Sequence, residues 1–374
     1  MINKERVIQQ FLKLVQIDSE TKNERNIANY LIDRFKVMDL VVFEDSSHQE
    51  NGHEAGNIIA RLEGTNPQLP ALYFTAHMDT VVPGKNIRPE IHNGVIHSDG
   101  STILGADDKA GISAILELIH LIHENPIHHG DLYFAIMSGE ESGLVGSQHF
   151  DISSLPVKYG YALDSDGEVG TIITAAPSQI KLFTTIKGKA SHAGLSPEKG
   201  ISAISMTAKA ITKMPLGRID EETTANIGSF EGKGPTNVVC DQVLLIAEAR
   251  SLSKTKLDKQ IDKMCSALRE TTSQMGGDVD IELKYMYPSY HFDKSDQVVQ
   301  VVSNAIRALG KEPLLKVSGG GGSDANHLSG KGIPTVNLAM GGYENIHTKN
   351  ERISISHLLE VPVLLYEIIK ESTK

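Results

Sequence analysis

Several short motifs carry acidic and histidine side chains of the kind that bind divalent cations. His77 and Asp79 lie in TAHMDT, directly after the apolar run ALYF. Residues two apart on a strand face the same side, so the Asp79 carboxylate can reach the His77 ring and orient it. Asp107 and Asp108 lie in LGADDKAGISA, just before a predicted helix. Acidic residues also cap helices, so this pair alone has two explanations.

Further residues of the same type follow later predicted strands. Glu140 and Glu141 lie in IMSGEESGLVG, Asp164 ends the run YGYALD, and His347 follows the run TVNLAM. Adjacent carboxylates repel each other unless a cation or separate roles relieve the repulsion. Because polar side chains end one strand after another, the sequence predicts a metal site at one edge of a sheet. Asp, Glu and neutral His suit zinc, and three ligand carboxylates plus one hydroxide would balance two divalent cations.

The elements that must position these motifs alternate between strands and helices. The runs NIIARL, ALYFTAHM, DLYFAIMS and YGYALDS are strand-like, and helical stretches such as AGISAILELIHLI separate them. This alternation predicts an α/β fold. From Gln179 the order becomes βαββαβ, which is typical of a self-contained ferredoxin-like module. We therefore expect a discontinuous catalytic domain, residues 1–177 and 289–374, and an inserted domain, residues 178–288.

Length and charge exclude several classes of partner. At 374 residues the chain exceeds the size at which single cores usually divide. The 36 Lys and Arg residues against 47 Asp and Glu residues give a net charge of −11, which disfavours binding to nucleic acids and anionic membranes. No apolar run approaches the roughly 20 residues needed to span a bilayer. With only two cysteines, we expect a reducing, cytoplasmic setting.

Taken in order and spacing, the motifs HMDT, GADDKAG, SGEESG, a strand-end ALD, GGSD and a late histidine resemble the dinuclear zinc exopeptidases of the peptidase T type, the tripeptide aminopeptidases. The resemblance covers nearly the whole chain, including the inserted domain. It implies a zinc-exopeptidase-like catalytic domain with a mixed sheet flanked by helices. It also implies two zinc ions per subunit, a short peptide substrate, and a homodimer built through the inserted domain, which would act as a lid.

The resemblance also implies a metal-binding role for each matching position. His77 and Asp164 would hold one zinc ion, and Glu141 and His347 would hold the other. Asp107 would bridge the two ions.

The catalytic and substrate-binding roles follow from the same resemblance. Asp79 would orient His77, and Glu140 would be the general base that takes a proton from metal-bound water. Hydroxide produced in this way would attack the scissile amide. The positions that would contact substrate are His192 in KASHAG, Asn237 in PTNVVC, Arg250 in IAEARS, and Gly321, Gly322 and Ser323 in SGGGGSD.

Two other interpretations remain open at the level of the sequence. A carboxypeptidase or an N-acyl amino acid deacylase of the same superfamily would use the same site residues on another substrate. A non-catalytic, metal-dependent peptide-binding protein would need the ligands but has no use for a general base, so Glu140 argues against it. A separate group of histidines, His120, His123, His128 and His129, is predicted to be solvated near a helix end.

Overall fold

The computed structural model describes residues 2–374. It contains two compact units, one comprising the residues up to Ala175 together with His291–Lys374, and the other Ala176–Tyr290. Each unit is described by itself below.

The chain forms strands in both units. In chain order they are β1 (Val41–Glu44), β2 (Ile58–Leu62), β3 (Leu72–His77), β4 (Pro89–His92), β5 (Val95–Ser98), β6 (Leu132–Met137), β7 (Tyr159–Ser165), β8 (Thr171–Ala176), β9 (Ser178–Lys187), β10 (Gly217–Arg218), β11 (Thr223–Glu231), β12 (Gln242–Ser251), β13 (Asp278–Tyr287), β14 (Tyr290–His291), β15 (Leu314–Val317), β16 (Thr335–Ala339) and β17 (Arg352–Ser354).

Helices separate most of these strands. They are α1 (Lys4–Val15), α2 (Arg25–Val37), α3 (His48–Asn51), α4 (Ala106–Glu124), α5 (Val145–His149), α6 (Ala203–Ile211), α7 (Lys254–Gln274), α8 (Gln297–Ala308), α9 (Asp324–Gly330) and α10 (Ile355–Ser372), with 3₁₀ turns at Ile152–Ser154 and Pro197–Lys199. Within residues 2–374, no helix combines the length and the apolar character that crossing a bilayer requires.

A nine-stranded mixed sheet forms the centre of the first unit. Its order is β1-β2-β6-β3-β7-β16-β8-β14, with β15 beside β8. The central strands β6, β3, β7 and β16 run parallel to one another. In contrast, β1 pairs antiparallel with β2, β2 with β6, and β8 with β16, while β15 runs parallel to β8. The carboxyl ends of four neighbouring strands therefore meet at one edge of the sheet.

The central strands are buried on both faces. Every residue of β3, β6 and β16 is buried, because helices cover the sheet and pack apolar side chains against it. On one face, Phe35 of α2 stacks on Phe134 with ring centroids 6.4 Å apart, and Phe134 in turn lies 6.2 Å from Phe74. Burial of such rings is a major source of stability. The predicted α/β fold with a mixed sheet flanked by helices is confirmed.

A separate three-stranded sheet, in the order β17-β5-β4, also belongs to the first unit. It joins a hairpin formed by β4 and β5 to the short strand β17, which follows the segment containing His347.

The second unit is a two-layer module. Its antiparallel sheet has the order β10-β11-β12-β9-β13, and α6 and α7 pack on one face through residues such as Met206, Leu257 and Met264. The order β9-α6-β11-β12-α7-β13 is the predicted βαββαβ arrangement, with the two-residue strand β10 added. On the opposite face Phe183, Leu244 and Ile246 are exposed.

The prediction of four solvated histidines is wrong for His129. Its side chain is buried, and its Nδ1 lies 2.7 Å from the carbonyl oxygen of Gly130. His123 and His128 are exposed, and His120 is partly buried. The loop after α4 returns to the sheet at this point, which the local sequence did not reveal.

Candidate active site

The predicted metal-binding side chains converge at the carboxyl edge of the parallel strands. His77 is the last residue of β3, and Asp164 is the penultimate residue of β7. Glu141 follows β6, and His347 lies in the segment between β16 and β17. Parallel strands place their carboxyl ends together, so the four side chains meet although 270 residues separate the first from the last.

Asp107 lies between these side chains, at the start of α4. Its backbone and that of Asp108 are non-helical, so the regular helix begins only after them. Asp107 Oδ1 is 3.0 Å from His77 Nε2, while Oδ2 is 3.3 Å from His347 Nε2. The two oxygens of one carboxylate thus face two different histidines.

Each histidine has a second carboxylate beside it. His77 Nε2 lies 3.8 Å from Asp164 Oδ1, and His347 Nε2 lies 2.9 Å from Glu141 Oε1. The donor atoms of His77, Asp107 and Asp164 all lie within 4.8 Å of one another, as do those of Asp107, Glu141 and His347. The structure therefore brings all five predicted ligands into two donor sets that share Asp107.

The electrostatics of the cluster show an excess of buried negative charge. Burial raises the pKa of Asp164 well above its usual range, and Asp107 and Glu140 raise it further. Burial also raises the pKa of Glu141. Hydrogen bonds to Asp107 and Glu141 raise the pKa of His347 to about 10. Carboxylates that repel one another and a histidine that is driven toward its cationic form fit a site built to hold positive charge.

Glu140 lies beside the predicted metal ligands. A carboxylate oxygen of Glu140 lies within 4.8 Å of a His77 ring nitrogen and a Glu141 carboxylate oxygen. Burial raises the pKa of Glu140 well above its usual range, and the carboxylates of Asp324 and Glu141 add to this effect. A carboxylate with a raised pKa is suited to accepting a proton near neutral pH.

Asp79 is fully buried and makes contacts beyond the predicted one with His77. The carbonyl oxygen of Asp79 lies 3.1 Å from His77 Nδ1, whereas its carboxylate Oδ1 lies 3.5 Å away. The carboxylate accepts hydrogen bonds from the backbone amides of Glu140, at 2.9 Å, and Glu141, at 3.2 Å. The Thr21 hydroxyl also donates to it at 2.7 Å. Asp79 therefore fixes the segment that carries Glu140 and Glu141 to the end of β3.

Glu351 is a buried carboxylate that sequence analysis missed. It accepts the backbone amides of Leu104, Gly105 and Asp107 at 2.9, 2.8 and 3.1 Å. Leu104 and Gly105 directly precede α4 and Asp107 is its second residue, so the carboxylate lies at the amino end of the helix, where a negative charge is favourable. Glu351 thus holds the backbone of Asp107 in place. Its position four residues after His347 was the only signal in the sequence.

A buried histidine beneath the Glu140 segment was also missed. His53 Nδ1 donates to Glu24 Oε1 at 2.6 Å, and both side chains are almost fully buried. The Ser142 hydroxyl lies 3.3 Å from the other ring nitrogen. A Cβ atom on Gly139, which has a φ of +61°, would lie only 2.4 Å from His53 Cε1. Gly139 is therefore required where the backbone passes over the His53 ring.

Two of the predicted substrate-binding residues lie together in the second unit. The backbone around His192 pairs with that around Asn237, since the Ala193 amide donates to the Asn237 carbonyl at 2.9 Å. His192 is exposed, and its Nδ1 accepts the amides of Gly194 and Leu195 at 3.2 and 3.1 Å. Because Nδ1 accepts, the ring proton of neutral His192 is on Nε2.

Arg250 lies on β12 and is partly buried. Its Nε donates to Glu248 Oε1 at 2.8 Å, and Glu248 also accepts from Gln179. Part of the guanidinium charge is therefore already compensated within the second unit.

The glycine-rich segment precedes α9. The Ser323 amide donates to the side-chain oxygen of Asn326 at 3.0 Å, and the Ser323 side chain accepts an amide from the first turn of α9. The helix cap therefore already uses the Ser323 amide as a donor. Gly321 is exposed and Gly322 is partly exposed.

Comparison with known proteins agrees with this geometry. Residues 73–371 match the family model described as Peptidase family M20/M25/M40. The chain belongs to this family. Its sequence is 52% identical to that of aminopeptidase PepT from Bacillus cereus ATCC 10987. The crystal structure of that protein matches the present one with a TM-score of 0.93 and full coverage of both chains. The chain is 42% identical to a tripeptidase from Staphylococcus aureus Mu50, with a TM-score of 0.95, covering 100% of this chain and 99% of that one.

A more distant structure shares the fold alone. The Bacillus subtilis YxeP protein, described as a dinuclear metal binding peptidase from the M20 family, is 16% identical, with a TM-score of 0.76 over 99% of both chains. The predicted resemblance to peptidase T is confirmed, and so is the prediction of a metallo-exopeptidase at the level of the family.

Proposed function

We propose that this M20 peptidase is an aminopeptidase that removes the first residue from tripeptides with the help of two zinc ions. The observation that carries the proposal is the placement of Asp107, whose two carboxylate oxygens face two separate His-carboxylate sets. The similarity to an aminopeptidase PepT and to a tripeptidase supports this choice of substrate.

The residues present fit two zinc ions. His77 and Asp164 would hold one ion, Glu141 and His347 the other, and Asp107 would bridge them. Two imidazoles and three carboxylates are ligands that zinc accepts, and each set leaves room for further ligands. When bound, the ions would lower the pKa of a shared water and so supply hydroxide near neutral pH.

Glu140 would be the general base in this reaction. It lies beside both donor sets, and its raised pKa lets it take a proton from the attacking water. The same carboxyl group can then deliver this proton to the leaving amine. Asp79 would contribute by holding the Glu140 amide, so that the carboxylate keeps its direction.

Residues of the second unit and the glycine-rich segment would bind the substrate. His192 carries its proton on Nε2. In the proposed homodimer it would reach the active site of the neighbouring subunit and donate this proton to the oxyanion that forms on the scissile carbonyl. Arg250, Asn237, Gly321, Gly322 and the Ser323 hydroxyl would contact the rest of the peptide, with Arg250 on its carboxylate.

A substitution of Glu140 tests the catalytic proposal. Glu140→Gln keeps the size of the side chain but removes its basicity, so turnover should fall by about 100-fold or more while metal content is unchanged. Glu63→Gln, on an exposed glutamate, is the matched control and should behave as the original protein. Normal turnover in the Glu140 variant would contradict the assignment.

The choice of substrate distinguishes the proposal from its alternatives. In a tripeptide, the carboxylate lies about 7 Å of extended chain beyond the first peptide bond. Free tripeptides should be hydrolysed after their first residue, N-acetylation should block cleavage, and C-terminal amidation should reduce it by about 10-fold. Preferential hydrolysis of N-acetylated substrates would instead indicate a carboxypeptidase or an N-acyl amino acid deacylase.

The second unit would act as a lid and as the interface of a homodimer. We propose residues 178–288 for this role, with residues 1–177 and 289–374 as the catalytic domain. The exposed apolar side chains of Phe183, Leu244 and Ile246 support this role, because an apolar surface of this kind is often covered by another subunit. A cytoplasmic location remains part of the proposal.

A further inference from the structure

The hairpin of β4 and β5 carries a second group of metal-ligand side chains. Glu90 and His97 are cross-strand partners. His92 follows Glu90 by two residues on the same strand. Alternation along a strand and pairing across the hairpin therefore put all three side chains on the same face.

The three side chains are close enough to share one ion. One donor atom from each of Glu90, His92 and His97 lies within 4.8 Å of the others. His92 Nε2 is 3.2 Å from Glu90 Oε2, and the rings of His92 and His97 stack with their centroids 4.9 Å apart. Glu90 and His92 are exposed, so their side chains are free to change rotamer. Small changes in their torsion angles would bring the three donor atoms around one metal ion.

The hydrogen bonding of His97 is that of a metal-binding histidine. Its Nδ1 donates to the carbonyl oxygen of Ser98 at 2.7 Å. This bond leaves the lone pair on Nε2, which is the form in which imidazole binds a metal. Metal-ligating histidines commonly donate their second ring proton to a backbone carbonyl in the same way.

The charges around the hairpin permit a cation. By strand register, Arg352 of β17 lies opposite His97 on the other side of β5. Its guanidinium forms an ion pair with Glu344, so this positive charge is compensated. Arg88, which precedes the hairpin, lies 3.7 Å from Asp99.

We propose that Glu90, His92 and His97 bind a third divalent transition-metal ion, distinct from the two of the proposed catalytic centre. Two imidazoles and one carboxylate suit Zn²⁺, Ni²⁺ and Cu²⁺ better than Mg²⁺ or Ca²⁺. Water molecules complete the coordination, because the face is open to solvent. The ion links β4 to β5 and so stabilises the hairpin.

The same sheet connects this ion to the segment that contains His347. His97 pairs with Arg352, and the Arg352 and Glu344 backbones exchange hydrogen bonds of 3.1 and 3.0 Å. Glu344 and Arg352 flank the loop of His347. Occupancy of the hairpin site therefore protects this loop against local opening, which hydrogen exchange can measure.

The test compares zinc stoichiometry after equilibrium dialysis against a series of free zinc concentrations. The original protein should bind one more ion than the His92→Gln, His97→Gln double variant at saturation. Each single substitution should weaken the affinity for this ion by at least about 10-fold. His123→Gln, on an exposed histidine outside the cluster, is the matched control and should keep the ion. Only the difference between proteins is used, so the result does not depend on how many ions the catalytic centre holds.

Two outcomes would overturn the proposal. The double variant could bind as many ions, with the same affinity, as the original protein. Alternatively, zinc-edge anomalous diffraction from zinc-soaked crystals of the original protein could show no peak between the three side chains. If the double variant unfolds, Glu90→Gln offers a milder substitution. This variant should also bind the third ion with lower affinity. A peak at this position, lost on substitution, would support the site.

Discussion

Replacing Gly139 with alanine should disturb the proposed catalytic base through a contact that lies outside the metal cluster. Gly139 has a φ of +61°, and an added Cβ would lie 2.4 Å from Cε1 of the buried His53 ring. The left-handed backbone costs about 1 kcal/mol for alanine. Displacing a packed ring costs about 1–3 kcal/mol more. We therefore expect the free energy of unfolding to fall by about 2–4 kcal/mol.

Gly52 provides the matched control for this substitution. It has a φ of +73°, but an added Cβ would meet no atom within 4 Å. Gly52→Ala should therefore cost only the backbone term of about 1 kcal/mol. Because Glu140 follows Gly139 directly, a shift of about 1 Å in this segment should also reduce kcat/KM by about 100-fold in the Gly139 variant alone.

A double-mutant cycle isolates the contact. His53→Asn removes the ring atom that the new Cβ would meet and keeps an amide that can donate to Glu24. In this background Gly139→Ala should cost about 1–2 kcal/mol less than in the original protein. Urea unfolding and tripeptide hydrolysis would be measured on all four proteins. Equal costs for Gly139→Ala and Gly52→Ala, or no coupling between Gly139 and His53, would refute the reasoning.

Three further predictions concern metal, acidity and assembly. Exhaustive chelation should abolish hydrolysis and lower the melting temperature, because the clustered carboxylates then repel one another; activity in metal-free protein would contradict the two-zinc proposal. Arg25 lowers the pKa of Glu44 below its ordinary value of 4.5, so this pair stabilises the fold above that pH and the stability is lost as pH falls through the lowered value. Glu44→Gln should therefore cost about 1 kcal/mol at pH 7 in urea unfolding, and progressively less as pH falls below 4.5; a cost that does not change with pH would exclude this explanation. If His192 acts in the active site of the neighbouring subunit, mixing inactive His192→Ala and Glu140→Gln proteins should restore some hydrolysis through hybrid dimers. If subunits exchange and hydrolysis is not restored, His192 acts within its own subunit.

The parts of the fold that the sequence predicted are those with strong local patterns. The strands β3, β6 and β16 are buried along their whole length because both faces are covered. Acidic residues follow β3 and β6 within three positions, at Asp79 and Glu140. Parallel pairing then brings His77 and Asp164 to one edge without any further information. For this reason the edge of the sheet at which these side chains meet could be anticipated from the motifs, whereas the role of each residue came from the resemblance to the peptidase T type.

The supporting contacts could not be predicted, because they join residues that are distant in sequence. Glu351 binds the amide of Asp107 across 244 positions, and His53 lies under a segment that is about 90 positions away. Neither residue stands in a motif. Asp79 could be recognised as a partner of His77, but its bonds to the Glu140 and Glu141 amides depend on how β3 and β6 pair. The bond from the Ser323 amide to Asn326 likewise depends on where α9 begins.

The interruption of the first unit by residues 176–290 has a consequence for the order in which a growing polypeptide can become active. Synthesis proceeds from the N-terminus, so β7 and β8 leave the ribosome before β16, which must later enter the sheet between them. His347 and Glu351 follow β16 and are therefore translated after both β7 and β8. Until they arrive, Asp107 lacks one of its two histidines and the carboxylate that holds its amide. A nascent chain would thus have no complete hydrolytic centre until residue 351 had been translated.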